Sequence, residues 1–254
     1  MKLELKSISA GYETPLISDG NALLIGGSLV ALLGRNGAGK STLLRHISGL
    51  LPLISGQVVI GGKSIHTLTE RERAKMISFV TTWRGRAIQM TAREVVGLGR
   101  SPYTNRMGRL SKHDGRVVEE ALIQVGIPHL ADKFVSEISD GENQRVMIAR
   151  ALAQDTPVIL LDEPTAFLDL PNRYELALLL RKLAHQRDKI ILFSTHDLDV
   201  ALQLCDILML IDRHTLVTQA TSEMRQSGYI EQLFSSDKVA IDPETGNVHL
   251  RKLG

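Results

Sequence analysis

The chain has 254 residues, of which 43% are apolar and 23% charged, and its formal net charge at pH 7 is +2. That length suffices for one large domain or for a core with an inserted subdomain, and so balanced a charge gives no indication of nucleic-acid binding. The single cysteine, Cys205, excludes an internal disulfide. Residues 1–10 lack the continuous apolar stretch of a signal peptide, and apolar runs such as 207–211 are far shorter than a membrane span. We therefore expect a soluble, cytoplasmic protein.

The first third of the chain alternates short apolar runs with glycine-rich turns. Continuous apolar runs of this length are typical of strands buried on both faces, and a Gly-Gly pair between apolar runs indicates a hairpin. The predicted elements, in chain order, are a strand over 3–8, a loop over 10–15, a buried strand over 29–33, a helix over 43–50, a hairpin around Gly61-Gly62, a helix over 69–75 and a strand over 76–80.

From residue 82 to about residue 152, strand signals give way to helical spacing, as in the stretch that Ser111 opens with Asp114 three residues later. Beyond it strands and helices alternate again, which argues for a mainly parallel sheet with helices on both faces. The predicted elements here are strands over 158–161, 189–194 and 207–211, helices over 172–186, 198–204 and 223–234, and a hairpin over 239–250. The sequence thus predicts an α/β core interrupted by an all-helical insert.

The buried strand over 29–33 runs directly into GRNGAGKST, which fits the phosphate-binding pattern G-x-x-x-x-G-K-[ST]. The glycines let backbone N–H groups point at phosphate oxygens, Lys40 brings a compact positive charge, and Ser41 offers an oxygen to Mg²⁺. A dinucleotide fingerprint and a guanine-recognition tetrapeptide are both absent from the sequence. The predicted ATP-binding residues of this loop are Gly34, Arg35, Asn36, Gly37, Ala38, Gly39, Lys40, Ser41 and Thr42.

Two later strands also end in polar residues. Asp162 and Glu163 follow the strand over 158–161, and His196 follows the next one along the chain. Since ligands of a parallel sheet gather at the carboxyl ends of its strands, Asp162 is expected to hold Mg²⁺ and Glu163 to orient or deprotonate the attacking water. His196 can donate a hydrogen bond to the γ-phosphate, and Lys40 completes the predicted catalytic set. The seven other histidines are interpreted as structural.

The order of the phosphate loop, ISDGENQR, ILLDEPT, LD and STHD over about residues 1–211 resembles the ATP-binding cassette ATPases of membrane transporters. The resemblance implies a P-loop NTPase core with a mainly parallel sheet, an antiparallel β subdomain and an inserted all-helical subdomain. The chain would be a single ATPase domain over 1–254, with 1–82 and 153–254 as the nucleotide-binding core and 83–152 as the helical signature subdomain.

That resemblance implies a head-to-tail homodimer with two ATP molecules and Mg²⁺ in its interface. Ser139, Gly141 and Glu142 would bind the ATP held by the other subunit, Asp169 would bridge the subunits, and Tyr12 would stack on adenine. A hydroxyl, a glycine and a helix N-terminus do suit a phosphate. Ser139 also has the position of an ordinary helix cap.

The chain departs from the family pattern at two positions. Asp140 stands where the signature usually has glycine, and a carboxylate there repels phosphate unless it points away. Thr82 stands where a glutamine usually contacts Mg²⁺ and senses the membrane partner, and its hydroxyl is expected to reach metal-bound water. Gln89 is the alternative, but its spacing argues against it. The property most affected is the coupling of ATP hydrolysis to the membrane partner through this position, and hydrolysis itself is less affected.

Within the insert, GLGRSPY resembles ATPases that serve importers of iron-siderophores, haem and cobalamin. That implies a peripheral protein on the cytoplasmic face of the membrane, docked on transmembrane permease subunits, fed indirectly by an extracytoplasmic substrate-binding protein and not bound to nucleic acid. The insert's positive charge would either attract the anionic leaflet or form a solvated helical surface. The competing functions are a soluble cassette ATPase, a small-molecule P-loop kinase and an ATP-binding regulatory switch. The basic residues are Arg84, Arg86, Arg93, Arg100, Arg106, Arg109, Lys112 and Arg116.

Overall fold

The strands of the computed structural model follow the short apolar runs of the sequence. The structure describes residues 1–81, 89–105, 108–166 and 168–250. Its strands are β1 (Lys2–Gly11), β2 (Pro15–Ile25), β3 (Ser28–Gly34), β4 (Ser55–Ile60), β5 (Lys63–Ser64), β6 (Ile77–Val80), β7 (Val158–Leu161), β8 (Ile190–Ser194), β9 (Ile207–Asp212), β10 (Thr215–Ala220), β11 (Val239–Ile241) and β12 (Val248–Leu250).

The helices lie between these strands and after them. Short 3₁₀ turns at Ile65–Thr67, Leu98–Tyr103 and Pro128–Leu130 connect some of them. The α-helices are α1 (Lys40–Ile47), α2 (Glu70–Arg73), α3 (Ala92–Gly97), α4 (Lys112–Gln124), α5 (Asp140–Ala153), α6 (Leu170–Gln186), α7 (Leu198–Leu204), α8 (Thr221–Gln226) and α9 (Tyr229–Phe234).

β3 lies inside a six-stranded sheet of order β10-β9-β3-β8-β7-β6. All its strand pairs are parallel except that of β10, which runs antiparallel to β9 at the edge. Every residue of β3, β7 and β8 is buried, because helices and a second sheet cover both faces. Alternate residues of β3 enter different cores, Leu29 and Leu33 one of them, Val30 and Leu32 the other. The predicted mainly parallel α/β core is confirmed.

A second, antiparallel sheet has the order β2-β1-β4-β5 and shares one core with α1. β2 and β10 are strands that the sequence analysis did not predict. In β2 the polar stretch SDGN interrupts the apolar alternation, and Asp19 has a positive φ of 50° where the pairing with β1 shifts register. The expected loop over 10–15 is also shorter, since β1 continues to Gly11 and β2 begins at Pro15.

The helices α3, α4 and α5 lie between β6 and β7 and pack together in the other core. Each begins with a capping box, in which Thr91, Ser111 or Ser139 accepts a hydrogen bond from the backbone three residues later and the acidic side chain there bonds back. The capping box predicted at Ser111 is confirmed, and so is the change from strands to helices in this part of the chain.

Two helix predictions were wrong in their bounds. α1 begins at Lys40 and not at residue 43, because the phosphate loop itself turns into the helix at Gly39. The helix expected over 223–234 is two short helices, since Gly228 between them has a φ of 78° that an α-helix cannot contain. Nowhere in the described ranges does a helix combine the length and apolar composition that crossing a bilayer requires.

Candidate functional site

The loop between β3 and α1 has the backbone of a phosphate cradle. Gly37 and Gly39 have φ values of 79° and 97°, which side-chain-bearing residues rarely adopt. The loop leads straight into the N-terminus of α1, whose first N–H groups are free of intrahelical partners. A Cβ atom at Gly39 would also lie 3.1 Å from the side chain of Leu16, so glycine lets this neighbour pack closely. The loop is therefore preorganised for an anion.

Lys40 lies beneath this loop with only 6% of its surface exposed. Its Nζ donates a hydrogen bond of 2.9 Å to the carbonyl oxygen of Gly34 and lies 3.5 Å from that of Arg35. Burial lowers the pKa of the Lys40 ammonium, while the charges of Glu163 and Asp162 oppose that shift. The ammonium is thus held inside the loop, where phosphate oxygens would meet it.

Asp162 is the centre of a hydroxyl cluster at the carboxyl edge of the sheet. Its Oδ1 atom accepts hydrogen bonds from Ser41 Oγ at 2.9 Å and from Ser194 Oγ at 2.7 Å. Ser41 comes from the phosphate loop and Asp162 from the end of β7. A hydroxyl and a carboxylate oxygen so close together are hard donors of the kind Mg²⁺ takes beside phosphate and water. The donor set at Ser41 and Asp162 therefore fits Mg²⁺.

Glu163 and His196 lie in contact at the exposed end of the site. Glu163 Oε1 lies 2.7 Å from His196 Nε2, and both side chains are more than a third exposed. Glu163 has a positive φ of 50°, a conformation that non-glycine residues adopt at a cost of roughly 1–3 kcal/mol and that clusters at functional sites. Its N–H donates to Ser194 Oγ at 2.9 Å. The backbone thus holds a partly solvated carboxylate at the rim of the phosphate loop.

A cavity of about 220 Å³ joins these groups. Leu16 closes one side of the cavity; it follows the turn between β1 and β2 that carries Tyr12, called the Tyr12 turn. Phosphate loop, carboxylate and histidine therefore face one volume, although they come from three separate strand ends. The predicted residues that line it are Asn36, Gly37, Ala38, Gly39, Lys40, Ser41, Thr42, Glu163 and His196.

Other predicted residues lie differently. Arg35 does not line the cavity: its Nε donates to the carbonyl oxygen of Leu233 at 3.0 Å, so its side chain ties the phosphate loop to α9. Gly34 ends β3, where its carbonyl oxygen accepts from Lys40. Tyr12 stands 61% exposed on the turn between β1 and β2. Thr82 lies outside the described residues.

The signature residues line a different cavity, of about 340 Å³, that shares no lining residue with the first. Ser139 caps α5, and its Oγ and N–H both bond to Glu142 Oε2 at 2.8 Å. Asp169 caps α6 by accepting from the N–H of Asn172 at 3.2 Å. Helix capping is therefore present at both residues. Ser139, Gly141, Glu142 and Asp169 all line the cavity beside these caps.

The sequence analysis missed two groups at the strand ends. Ser194, wholly buried, bridges Asp162 and the Glu163 backbone. Asp197 accepts hydrogen bonds from Thr165 Oγ1 at 2.8 Å and from Arg173 at 2.7 Å, which joins the loop after β7 to the loop after β8. The available signal was the run of polar residues in FSTHD, of which only the histidine was singled out.

The positive charge of the helical insert is partly neutralised within the chain. Arg93 pairs with Glu119 and Asp132, and Arg100 pairs with Asp114 in a buried contact of 2.9 Å. Arg109, Lys112 and Arg116 are exposed, whereas Arg84, Arg86 and Arg106 lie outside the described residues.

A family model described as ABC transporter matches residues 21–166. An uncharacterised ABC transporter ATP-binding protein of Methanocaldococcus jannaschii, MJ0873, is 41% identical over 222 residues, 87% of this chain and 77% of that protein. The iron(3+)-hydroxamate import ATP-binding protein FhuC of Bacillus subtilis is 32% identical over 96% of this chain and 91% of its own length.

Solved structures are similar over most of the chain. One is an inward-facing transporter described as of the metal-chelate ABC type, with a TM-score of 0.82 and 27% identity over 99% of this chain and 97% of that one. Another is the ATP-binding cassette MJ0796, dimeric, in a post-hydrolysis state and bound to ADP and Pi; its TM-score is 0.71, with 28% identity over 86% of this chain and 98% of that one.

Proposed function

The chain belongs to the ABC transporter family, whose ATP-binding subunits hydrolyse ATP, and from that premise we propose that it drives a membrane importer of an iron chelate, haem or cobalamin. The observation that carries the proposal is the meeting of the phosphate loop, Glu163 and His196 around one cavity, with Asp162 beside Ser41. Import is supported by the similarity to an iron(3+)-hydroxamate import protein. The GLGRSPY segment favours the same class of cargo.

ATP is proposed to lie with its phosphates on the loop 35–39 and α1 and with its adenine against Tyr12. Lys40 would exchange its bond to the Gly34 carbonyl for phosphate oxygens, which are stronger acceptors because they are charged. Ser41 and Asp162 would hold Mg²⁺, with Thr82 as the further residue expected near it. When bound, Mg²⁺ neutralises phosphate charge and thereby eases attack at phosphorus.

For hydrolysis, Glu163 would orient the attacking water and accept its proton, and His196 would donate to the γ-phosphate. In the structure the two side chains bond to each other at 2.7 Å. A γ-phosphate that draws His196 away would leave Glu163 Oε1 open to water. The position of the Glu163 carboxylate at the phosphate loop argues against a switch that binds ATP without hydrolysing it, since such a protein has no need of a carboxylate there.

Two copies are proposed to enclose two ATP molecules head to tail. The support is that the phosphate-loop cavity and the signature cavity share no lining residue in one chain. The α5 N-terminus, Ser139 and Gly141 of one copy would then face the phosphate loop of the other, with Asp169 at the crossing. To contact the phosphate, Ser139 Oγ would give up its hydrogen bond to Glu142. Alternatively, the N–H groups at the N-terminus of α5 would bind the phosphate while that bond stays in place.

The surface beside β6 is proposed to receive a cytoplasmic helix of the permease. There, a cavity of about 350 Å³ is lined by Leu50, Ile77 and Phe79 as well as polar groups. Leu50 is 62% exposed, and an exposed large apolar side chain beside a cavity is typical of a contact site. Gln154, at the end of α5, lines the same cavity. Its lining residues all belong to the core over 1–82 and 153–254, so this surface would stay with the core if residues 83–152 moved on ATP binding. The protein would thus sit peripherally on the cytoplasmic face of the membrane, beneath permease subunits that an extracytoplasmic binding protein supplies.

Co-purification from native membranes tests the transport assignment. Tagged Glu163→Gln protein, incubated with ATP and Mg²⁺ in detergent extracts, should retain ATP and recover a polytopic permease in stoichiometric amount. Lys40→Ala/Glu163→Gln protein is the control, since it cannot hold the triphosphate. Recovery of only soluble or ribosomal partners would refute the transport role and favour a soluble cassette ATPase.

A further inference from the structure

His46 lies near the C-terminal end of α1, the helix that begins at the phosphate loop, and only 1% of it is exposed. Its Nε2 atom lies 3.0 Å from both the backbone nitrogen and the carbonyl oxygen of Gly11. The ring therefore bonds to Gly11 in either neutral tautomer, accepting from the N–H or donating to the carbonyl. Because Nδ1 finds no hydrogen-bond partner in the described ranges, Nε2 is the ring's polar attachment there.

Gly11 begins the turn that carries Tyr12. It is paired with Pro15, which has no N–H and so cannot donate to the Gly11 carbonyl. The turn is also too tight for a side chain at position 11, since a Cβ atom there would lie 2.4 Å from the carbonyl oxygen of Thr14. Gly11 thus determines the path of the turn, and His46, which lies on α1, bonds to Gly11.

The start of β2, just after the same turn, rests on the phosphate loop. A Cβ atom at Gly39 would lie 3.1 Å from Leu16 Cδ1, and Leu16 lines the phosphate-loop cavity. The turn is therefore attached near both ends of α1, at Gly39 through Leu16 and at His46 through Gly11. Tyr12 itself is 61% exposed, so its position follows from these backbone attachments and not from packing of its ring.

We propose that His46 is a positioning residue for ATP binding, which holds the Tyr12 turn at the distance from the phosphate loop that adenosine spans. This rests on the proposed stacking of Tyr12 on adenine. Glutamine can replace the histidine, because its amide lies about where Nε2 lies and both donates and accepts. Leucine fills similar space but leaves the Gly11 backbone unpaired.

The test compares the affinities of purified variants for ATP and for inorganic tripolyphosphate by calorimetry. Tyr12→Ala should raise the Kd for ATP roughly 5- to 100-fold, the usual range for losing an aromatic stacked on a base. His46→Leu should raise it by a part of that, about 3- to 10-fold, and His46→Gln by less than about twofold. Tripolyphosphate has no base, so its Kd should be the same in all four proteins.

A double variant decides how His46 acts. If it acts through Tyr12, His46→Leu/Tyr12→Ala should bind ATP as Tyr12→Ala does. Full additivity, or an equal loss of tripolyphosphate affinity in His46→Leu, would overturn the proposal. Wild-type affinity in Tyr12→Ala would refute the stacking, and the proposal with it, while leaving ATP hydrolysis in place. Should His46→Leu not fold, His46→Asn replaces it, because its shorter amide cannot reach Gly11; equal affinities of the Asn and Gln variants would then contradict the proposal.

Discussion

Ser194→Ala should displace the Glu163 carboxylate without changing the carboxylate itself, and so shows how much activity depends on its position. Ser194 is wholly buried, and its Oγ donates to Asp162 at 2.7 Å and accepts from the N–H of Glu163 at 2.9 Å. The substitution removes a bond to a charged group and leaves a buried N–H without an acceptor, a combined cost of about 3 kcal/mol. In a chain of this size that corresponds to a fall in Tm of roughly 6–12 °C.

Activity should fall as well, because Glu163 has a positive φ that Ser194 helps to hold. A misplacement of about 1 Å can cost roughly 100-fold in rate, so we expect kcat for ATP hydrolysis to fall about 10- to 100-fold. The ATP Kd should change little, since the phosphate loop is untouched. The assay is steady-state phosphate release, with Tm from differential scanning calorimetry.

Ser78→Ala is the matched control. Ser78 is a serine of the same sheet with 1% exposure, and its hydroxyl accepts from Thr156 at 3.1 Å, away from the site. It should lose about 1 kcal/mol of stability and keep the wild-type kcat. A Ser194→Ala protein as active as wild type, or a Ser78→Ala protein with an equal loss of kcat, would refute the positioning of Glu163 by Ser194.

Three further outcomes are expected. Lys40→Ala should abolish detectable ATP binding in calorimetry, because the loop then has no cation for the β- and γ-phosphates; micromolar binding would contradict that role. Arg100→Leu should destabilise the protein by about 3–5 kcal/mol in urea unfolding, since it leaves the buried Asp114 carboxylate without its counter-ion; a loss below about 1 kcal/mol would contradict it. Hydrogen bonds from Ser111 and from Arg100 lower the pKa of Asp114 to about 2, from 3.8. Its contribution to stability is therefore present above about pH 4 and lost as the pH falls toward 2, so wild type should lose more stability across that range than Asp114→Asn.

The five parallel strands of the six-stranded sheet were predictable because they are short apolar runs that are almost wholly buried, and such runs are typical of strands covered on both faces. β2 and β10 were not, for a physical reason. β2 carries SDGN in its middle with Asp19 at positive φ, and β10 is an edge strand whose residues are mostly half-buried. Neither has the alternation or the continuous apolar run that identifies a strand from sequence.

The site, too, has a part that the sequence predicted and a part that it could not predict. Spacing and residue type placed Lys40, Glu163 and His196 at one sheet edge, and the structure brings them to one cavity. The roles of Ser194 and His46 depend on contacts between residues that are distant in sequence, such as the bond from His46 to Gly11. A pattern within one segment cannot reveal such a contact. The direction of Arg35 toward α9 is of this kind too.

The most direct test of ATP hydrolysis between two copies is sedimentation equilibrium of Glu163→Gln protein with saturating ATP and Mg²⁺. The variant is expected to bind ATP without hydrolysing it, so the proposed head-to-tail arrangement predicts a dimer that holds two ATP molecules. The control is Lys40→Ala/Glu163→Gln, which should remain monomeric. A Glu163→Gln monomer with ATP bound would contradict the shared site and would leave the signature cavity of Ser139 and Gly141 without its proposed ligand.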